Sequence, residues 1–266
     1  MRQTLKVAAI QLAAGSNKAK NLATAVRLVT IAIRNKARLI VLPEMFNIRG
    51  HEGATQSAGE PIPGPSLYPL MALAKKYRVL ILAGSVAEKT KHPKKIFNSS
   101  ALIGPDGLIK AVYRKMHLFD VLLTGKKIQE SKYCLRGKKP VLAEIDGIRA
   151  GLSLCYDLRF PALYQSYAKR GAKILCIPSN FTRKTGRAHW ETLLKARAIE
   201  NQCFVIAPNQ HGTGPHGVES FGNSMIVDPW GKILARAPLR GNKVLATVLN
   251  LSELDLIRHL FPTLKH

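Results

Sequence analysis

The sequence predicts an α/β fold, a four-layer α-β-β-α sandwich with an internal pseudo-twofold repeat. Short apolar runs of strand length alternate with helix-periodic stretches, and two halves of the chain repeat one order of elements. Val7-Ala8-Ala9-Ile10-Gln11 reads as the first strand, followed by a helix over 18–35 and a strand over 37–42 that stops on Pro43-Glu44. In the second half, a strand over 150–155, a helix, and a strand over 172–177 that stops on Pro178-Ser179 answer them. A helix over 65–77 with a strand over 79–83 is matched by a helix over 189–201 with a strand over 203–207. The strand and turn over 98–107 are matched by those over 223–231. Each half thus reads βαβαβ, a turn and a further strand, so two sheets should pack face to face with helices outside.

At 266 residues and 46% hydrophobic, the chain has enough apolar material for one α/β domain spanning 1–266. Four cysteines, at 134, 155, 176 and 203, are too sparse for a disulfide scaffold. They form no C-x-x-C pair and no zinc-ligand spacing with histidine, so neither a structural metal nor a metal cofactor is expected. Gln11 interrupts the short apolar run 7–14, which argues for a strand and against a signal peptide. No stretch reaches the ~18 apolar residues of a membrane span. A cytoplasmic protein is the expectation.

Charge is the anomaly. Lys and Arg number 41 against 16 Asp and Glu, a formal net charge of +25. Such a chain attracts polyanions nonspecifically. Its basic residues are scattered, however, and clusters such as 89–95 and Lys126-Lys127 fall in loop-like segments without interleaved aromatics. No nucleic-acid motif accompanies them, so no specific nucleic-acid partner is expected.

The chemistry sits at strand exits. Cys155 ends the run 148–155 and is followed at once by Tyr156-Asp157-Leu158-Arg159-Phe160-Pro161. A thiol at a sharp strand-to-helix turn stands beside backbone N–H groups, where a nucleophile is useful. Glu44 closes the run 38–44, where packing alone would not require a carboxylate. Lys115 ends 108–115 before Met116-His117-Leu118-Phe119-Asp120 turns away. Together they offer a nucleophile, a base and a cation.

On Leu42-Pro43-Glu44, Tyr113-Arg114-Lys115-Met116-His117-Leu118-Phe119-Asp120, Cys155-Tyr156-Asp157-Leu158-Arg159-Phe160-Pro161, and His189-Trp190-Glu191 leading into 196–201, the sequence resembles the nitrilase, or carbon-nitrogen hydrolase, superfamily. The match runs from Val7 to Pro262 and is nearest the branch of ω-amidases and deaminated-glutathione amidases. The resemblance implies a nitrilase-like sandwich and a Glu-Lys-Cys triad that cleaves an amide through a thioester, without a cofactor, releasing ammonia. Cys155 would attack. Glu44 would take the thiol proton, pass it to the leaving nitrogen and later deprotonate water. Lys115 with the N–H of Tyr156 would hold the oxyanion. The resemblance adds Glu130 as a second acid that orients Lys115 or the substrate.

Arg159 lies four residues after Cys155 and can return to the same pocket, where a guanidinium would grip a carboxylate. A scaffold ion pair to Asp157 or Glu200 is the competing reading. The resemblance implies that Arg159, Phe181 and Thr185 line the carboxylate end, which points to α-keto acid ω-amides or deaminated glutathione. A nitrile or another amide within the same superfamily is the alternative. Asn223 stands where the branch usually carries histidine. The resemblance also implies a homodimer through the region of the helix over 160–168; Tyr164 and Tyr167 are candidate contact residues because tyrosine is enriched at interfaces, with packing against their own sheet as the competing reading. Loops over 51–63 and 183–187 are expected to shape the pocket.

Two rivals come from other classes. A papain-like enzyme would use His117 or His189 as its base and leave Glu44 idle, whereas a silent polyanion binder would explain only the charge. Gly212-Thr213-Gly214-Pro215-His216-Gly217 satisfies G-x-G-x-x-G, but residues 218–223 read as a loop returning to a strand, so no dinucleotide site is expected. Trp190 and Trp230 read as core or interface anchors.

Overall fold

The computed structural model describes residues 3–50, 52–123, 126–214 and 217–265. The first half runs β1 (Thr4–Gln11), α1 (Lys18–Arg34), β2 (Leu39–Val41), α2 (Glu52–Ser57), α3 (Tyr68–Tyr77), β3 (Leu80–Leu82), β4 (Val86–Lys89), β5 (Ile96–Ile103) and β6 (Ile109–Arg114). A hairpin of β7 (Asp120–Leu123) and β8 (Lys126–Gln129) leads to β9 (Val141–Ile145). The second half is β10 (Ile148–Leu152), α4 (Pro161–Lys169), β11 (Ile174–Cys176), α5 (Arg183–Asn201), β12 (Phe204–Ala207), a small hairpin of β13 (His211–Thr213) and β14 (Glu219–Phe221), then β15 (Met225–Val227) and β16 (Ile233–Arg236). β17 (Lys243–Asn250) and α6 (Leu251–Leu260) come last.

The repeat is visible in the pairing. One sheet has the order β17-β1-β2-β3-β5-β4, with β6 also on β5, and the other has β16-β15-β12-β11-β10-β9. In the first, β1, β2 and β3 are parallel and β5 antiparallel; in the second, β10, β11 and β12 are parallel and β15 antiparallel. Each has an antiparallel strand on its first member, β17 on β1 and β9 on β10. The turns correspond as well: Gly107 donates to Gly104 and Gly231 to Asp228, each donor glycine at positive φ.

Alternation of side chains builds the four layers. Val7, Ala9, Leu39, Val41 and Leu82 meet Ala150, Leu152, Ile174, Cys176 and Ile206 between the sheets. The intervening residues Ala8, Ile10, Ile40 and Ile81 face α1 and α3 through Ala25, Leu28, Val29, Leu70 and Ala74. On the other flank, Leu175, Val205 and Met225 pack with Tyr164 and Tyr167 of α4 and Trp190 and Leu194 of α5. Among the described residues, no helix is long and apolar enough to cross a membrane.

Several local expectations change. α5 begins at Arg183, not 189, because Thr182 caps it by accepting the N–H of Thr185, so 183–187 is a helical turn and not a loop. Segment 51–63 contains α2, and its His51 lies outside the described residues. Lys126 and Lys127 belong to strand β8. Tyr164 and Tyr167 are fully buried and donate to Ser153 Oγ at 3.0 Å and the Leu152 carbonyl at 2.6 Å, so neither is available as a contact with a second subunit. Trp190 is core, whereas Trp230 is 60% exposed against Phe261.

Candidate active site

The exits of β2, β6 and β10 open on one cleft of about 160 Å³. Glu44, Lys115, Cys155, Glu130, Tyr156, Arg159, Phe181 and Thr185 all line it. The chain is bent to present each group. Cys155 has φ +45° and opens a 3-10 turn, Cys155–Arg159, with its own N–H held by the Pro178 carbonyl at 3.0 Å. A non-glycine residue held at positive φ on a strand-to-helix turn is a strained position that projects its side chain outward. Asp157 fastens this turn by accepting Leu154 N–H at 2.8 Å.

Glu44 is set by a comparable device. Met45, next in the chain, has φ +53°, its N–H donates to Ser85 Oγ at 2.9 Å, and Gln210 Nε2 donates to the carbonyls of Glu44 and Met45. Gly84 presses on this segment, since a Cβ there would stand 1.9 Å from the Pro43 carbonyl oxygen. The equivalent exit in the second half supports the first: beyond Pro178-Ser179, Asn180 N–H donates to Glu44 Oε2 at 3.0 Å.

Lys115, only 2% exposed, donates from Nζ to Glu44 Oε1 at 2.9 Å and to Glu130 Oε2 at 2.9 Å. Asn98 Nδ2 bridges the same two carboxylates at 2.9 and 3.2 Å, and Phe119 N–H donates to Glu130 Oε2 at 2.7 Å. Burial opposes the ammonium, but Glu130 first and then Glu44 outweigh it and hold the Lys115 pKa well above its ordinary value. Lys115 therefore stays charged at neutral pH. The Cys155 thiol lines the same cleft as Glu44 and Asn180, and both act on its proton affinity. Burial, then the Glu44 charge, pushes its pKa well above the ordinary range, with Lys115 pulling the other way. At rest the sulfur keeps its proton beside a carboxylate able to take it.

Arg159 forms no pair with Asp157 or Glu200. Asp157 is occupied by Tyr113 and His117, and Glu200 by Arg197, while Arg159 Nη1 meets His189 Nδ1 at 3.2 Å and its guanidinium lies over the Tyr156 and Phe181 rings. No histidine lines the cleft among the described residues, which removes the Cys-His alternative. His117 instead stacks on Phe160. Asn223 is also absent from the lining; its carbonyl accepts Trp190 Nε1 at 2.8 Å. The glycine-rich segment forms the β13–β14 hairpin, with Pro215 and His216 outside the described residues, and no helix starts at Gly212 or Gly214. Sequence reasoning missed Asn98, Asn180 and Arg49, which enter the site through packing. Only Thr182 carried a readable signal, a capping residue before a helical stretch.

A buried cysteine, two carboxylates and a lysine meet at strand exits of a four-layer sandwich, an arrangement suited to a hydrolase. Residues 6–259 match the carbon-nitrogen hydrolase family. The chain belongs to that family. It is 38% identical to the deaminated glutathione amidase of Synechocystis, over 97% of this chain and 96% of the relative, and 36% identical to omega-amidase NIT2 of Mus musculus, over 98% and 94%. The crystal structure of Saccharomyces cerevisiae Nit3, a nitrilase-superfamily member, superposes with a TM-score of 0.89 at 30% identity, covering 98% of this chain and 96% of that one.

Proposed function

We propose that the chain is an amidase acting on acid amides, with Cys155 as nucleophile, Glu44 as general acid-base, Lys115 as oxyanion holder and Glu130 as the group that orients Lys115. The observation that carries it is Glu44: the carboxylate whose charge bears on the Cys155 thiol in the shared cleft is simultaneously 2.9 Å from the Lys115 ammonium. Glu44 takes the thiol proton as sulfur bonds to the amide carbon, and the tetrahedral oxyanion is met by Lys115 Nζ and the Tyr156 N–H. Tyr156 is an early residue of the 3-10 turn, where a helical turn leaves N–H groups without acceptors. Collapse breaks the C–N bond, and Glu44 hands its proton to the departing nitrogen. Glu44 then deprotonates a water that attacks the thioester, and the thiolate recovers that proton as the acid is released. No step calls for a cofactor.

Arg159, Phe181 and Thr185 support the choice of an acid amide. Arg159 has no carboxylate within ion-pair distance among the described residues although it lines the cleft, so a substrate carboxylate would supply its missing partner. The names of the two amidase relatives suggest α-keto acid ω-amides and deaminated glutathione as candidates. Release of ammonia, or of the amine from an N-substituted amide, across a panel of such amides, with electrospray mass spectrometry of a slow substrate, tests the reading. An acyl adduct on Cys155 is expected; one on Cys134, Cys176 or Cys203 overturns it.

The proposal treats the chain as one catalytic domain and extends to a cytoplasmic homodimer. Four free thiols suit a reducing compartment, and the exposed cluster of Ile199, Trp230 and Phe261 offers apolar surface for a second subunit in place of the two buried tyrosines. Light scattering that returned a 29.2 kDa monomer at micromolar concentration would refute the dimer.

A further inference from the structure

The cleft holds a second guanidinium that the mechanism does not use. Arg49 follows Phe46-Asn47-Ile48, is only 7% exposed and lines the same cavity as Arg159. Its acceptors among the described residues are all neutral: Nη1 donates to Ser220 Oγ at 2.7 Å and Asn180 Oδ1 at 3.4 Å, and Nη2 to the His211 carbonyl at 3.3 Å. Nε has no partner among the described residues, and no carboxylate there lies within ion-pair distance of the group. Burial lowers its pKa to about 10, so it remains cationic at neutral pH. A desolvated cation without a counter-ion is unfavourable, and such a group is commonly retained where a ligand brings the opposite charge.

The surrounding backbone accommodates this cation. Gly214, in the connection between β13 and β14, leaves room beside it, since a Cβ at that position would stand 3.1 Å from Arg49 Nε. The pKa of nearby His211 is lowered, by burial first and with a contribution from the Arg49 charge, which favours the neutral imidazole beside Arg49. In the cleft, Glu44 and Glu130 are both engaged by Lys115, which leaves Arg49 and Arg159 as two cations without an acid of their own among the described residues.

We propose that Arg49 is a specificity-determining residue that reads a second anionic group, so that the cleft favours amides bearing two carboxylates, one for Arg159 and one for Arg49. This rests on the acid-amide reading of the same cleft. In this arrangement the second carboxylate sits on the amine: the C–N bond breaks, the acyl group stays on sulfur, and a carboxylate-bearing amine departs with the proton from Glu44. Primary amides lack this contact and use Arg159 alone.

The test compares succinamate, with one carboxylate, and N-succinylglycine, with two, in wild type, Arg49→Gln, Arg49→Lys and Arg159→Leu. The readout is the ratio of kcat/KM for the second substrate to that for the first. In Arg49→Gln this ratio should fall at least about tenfold, chiefly through KM. Arg49→Lys, which keeps the charge but loses the fork, should lower it about threefold or more and serves if the glutamine variant does not fold. Arg159→Leu should depress both substrates and leave the ratio near wild type. A ratio unchanged in both Arg49 variants, whatever the total loss of activity, makes Arg49 scaffold and overturns the proposal. If wild type hydrolyses neither substrate, or Arg159→Leu moves neither, the acid-amide reading itself fails and takes the Arg49 proposal with it.

Discussion

Asp157 ties the segment that carries Lys115 to the turn that carries Cys155, because its Oδ1 accepts the backbone N–H of His117 at 3.0 Å while its Oδ2 accepts that of Leu154 at 2.8 Å. Tyr113 Oη adds a bond at 2.7 Å and His117 Nδ1 lies 2.7 Å away, so a fully buried carboxylate is surrounded by polar partners. The same carboxylate, after burial, pushes the Tyr113 hydroxyl pKa well up. One side chain thereby fixes two elements 40 residues apart in the chain.

Asp157→Ala should therefore strand several buried donors and cost roughly 3–5 kcal/mol of stability. Asp157→Asn keeps an acceptor on one side and should cost about 1–2 kcal/mol. Urea denaturation gives the stability. At a temperature where Asp157→Asn remains folded, kcat should fall with KM little changed, as expected of a positioning residue. A normal kcat in that variant would confine Asp157 to a structural role.

Lys115→Ala should lower kcat about 10²–10³-fold, as for removal of an oxyanion donor. Glu130→Gln removes a charge that holds the ammonium and should slow turnover by a smaller factor, while Glu44→Gln should stop acylation and so yield no adduct on Cys155. Steady-state kinetics with intact-mass analysis checks all three. Near wild-type turnover in Lys115→Ala removes its assigned role.

Much of this site is legible in the sequence because strand exits are punctuated. Runs of strand length that stop on Glu44, Lys115 and Cys155 place reactive groups together at strand exits, and the repeated order of elements gives both sheets. Arg49 and Asn98 are not legible, since their neighbours come from residues far along the chain, such as Ser220 for Arg49 and Glu130 for Asn98. Tyr164 and Tyr167 escape sequence reasoning for a related cause. A short helix of mixed composition does not disclose which face meets the sheet, and here a hydroxyl reaches backbone of β10. The polar run Arg183-Lys184-Thr185-Gly186-Arg187 has weak periodicity, so the capping residue Thr182 is the local cue to the start of α5.

Gly84 supplies a test of how Glu44 is held. It has φ +42°, and an added Cβ would collide with the Pro43 carbonyl. Gly84→Ala should cost about 2–4 kcal/mol from overpacking plus the left-handed backbone. It should also reduce kcat by displacing Glu44, while Gly147→Ala, at φ +82° with no atom within 4 Å of the added Cβ, controls for the backbone effect alone. Equal losses of kcat in both would dismiss the link to Glu44.

Alkaline stability falls through the buried thiols, of which Cys176 and Cys203 lie away from the cleft. Burial pushes Cys176 and Cys203 from 9.0 up to about 12, Arg258 partly opposing it at Cys203. A thiol whose folded pKa is raised stabilises the fold fully below the unfolded pKa, and this stability is lost as pH rises toward the folded value. By pH 10.5 each should have removed about 2 kcal/mol. Tyr113 and Tyr164, with pKa values also raised by burial, act in the same direction at higher pH. Denaturant midpoints measured from pH 8 to 10.5 should fall, and Cys176→Ala should flatten the slope. A midpoint constant over that range contradicts the account.

Arg159 decides between an amidase that reads a carboxylate and a generalist. Its guanidinium lies over two aromatic rings with His189 Nδ1 at 3.2 Å, an arrangement that orients a cation without neutralising it. If a substrate carboxylate completes this group, Arg159→Leu leaves that acid buried and unpartnered at a cost of roughly 2–4 kcal/mol, or two to three powers of ten in kcat/KM. A neutral amide of similar length loses far less, because it never made the contact. The comparison uses α-ketoglutaramate and such a neutral amide in wild type and variant, with ammonia release as the readout. Equal losses on both substrates would make Arg159 scaffold. A wild-type preference for the neutral amide, or for a nitrile, would show that the cleft selects by something other than charge, and the acid-amide assignment would be withdrawn.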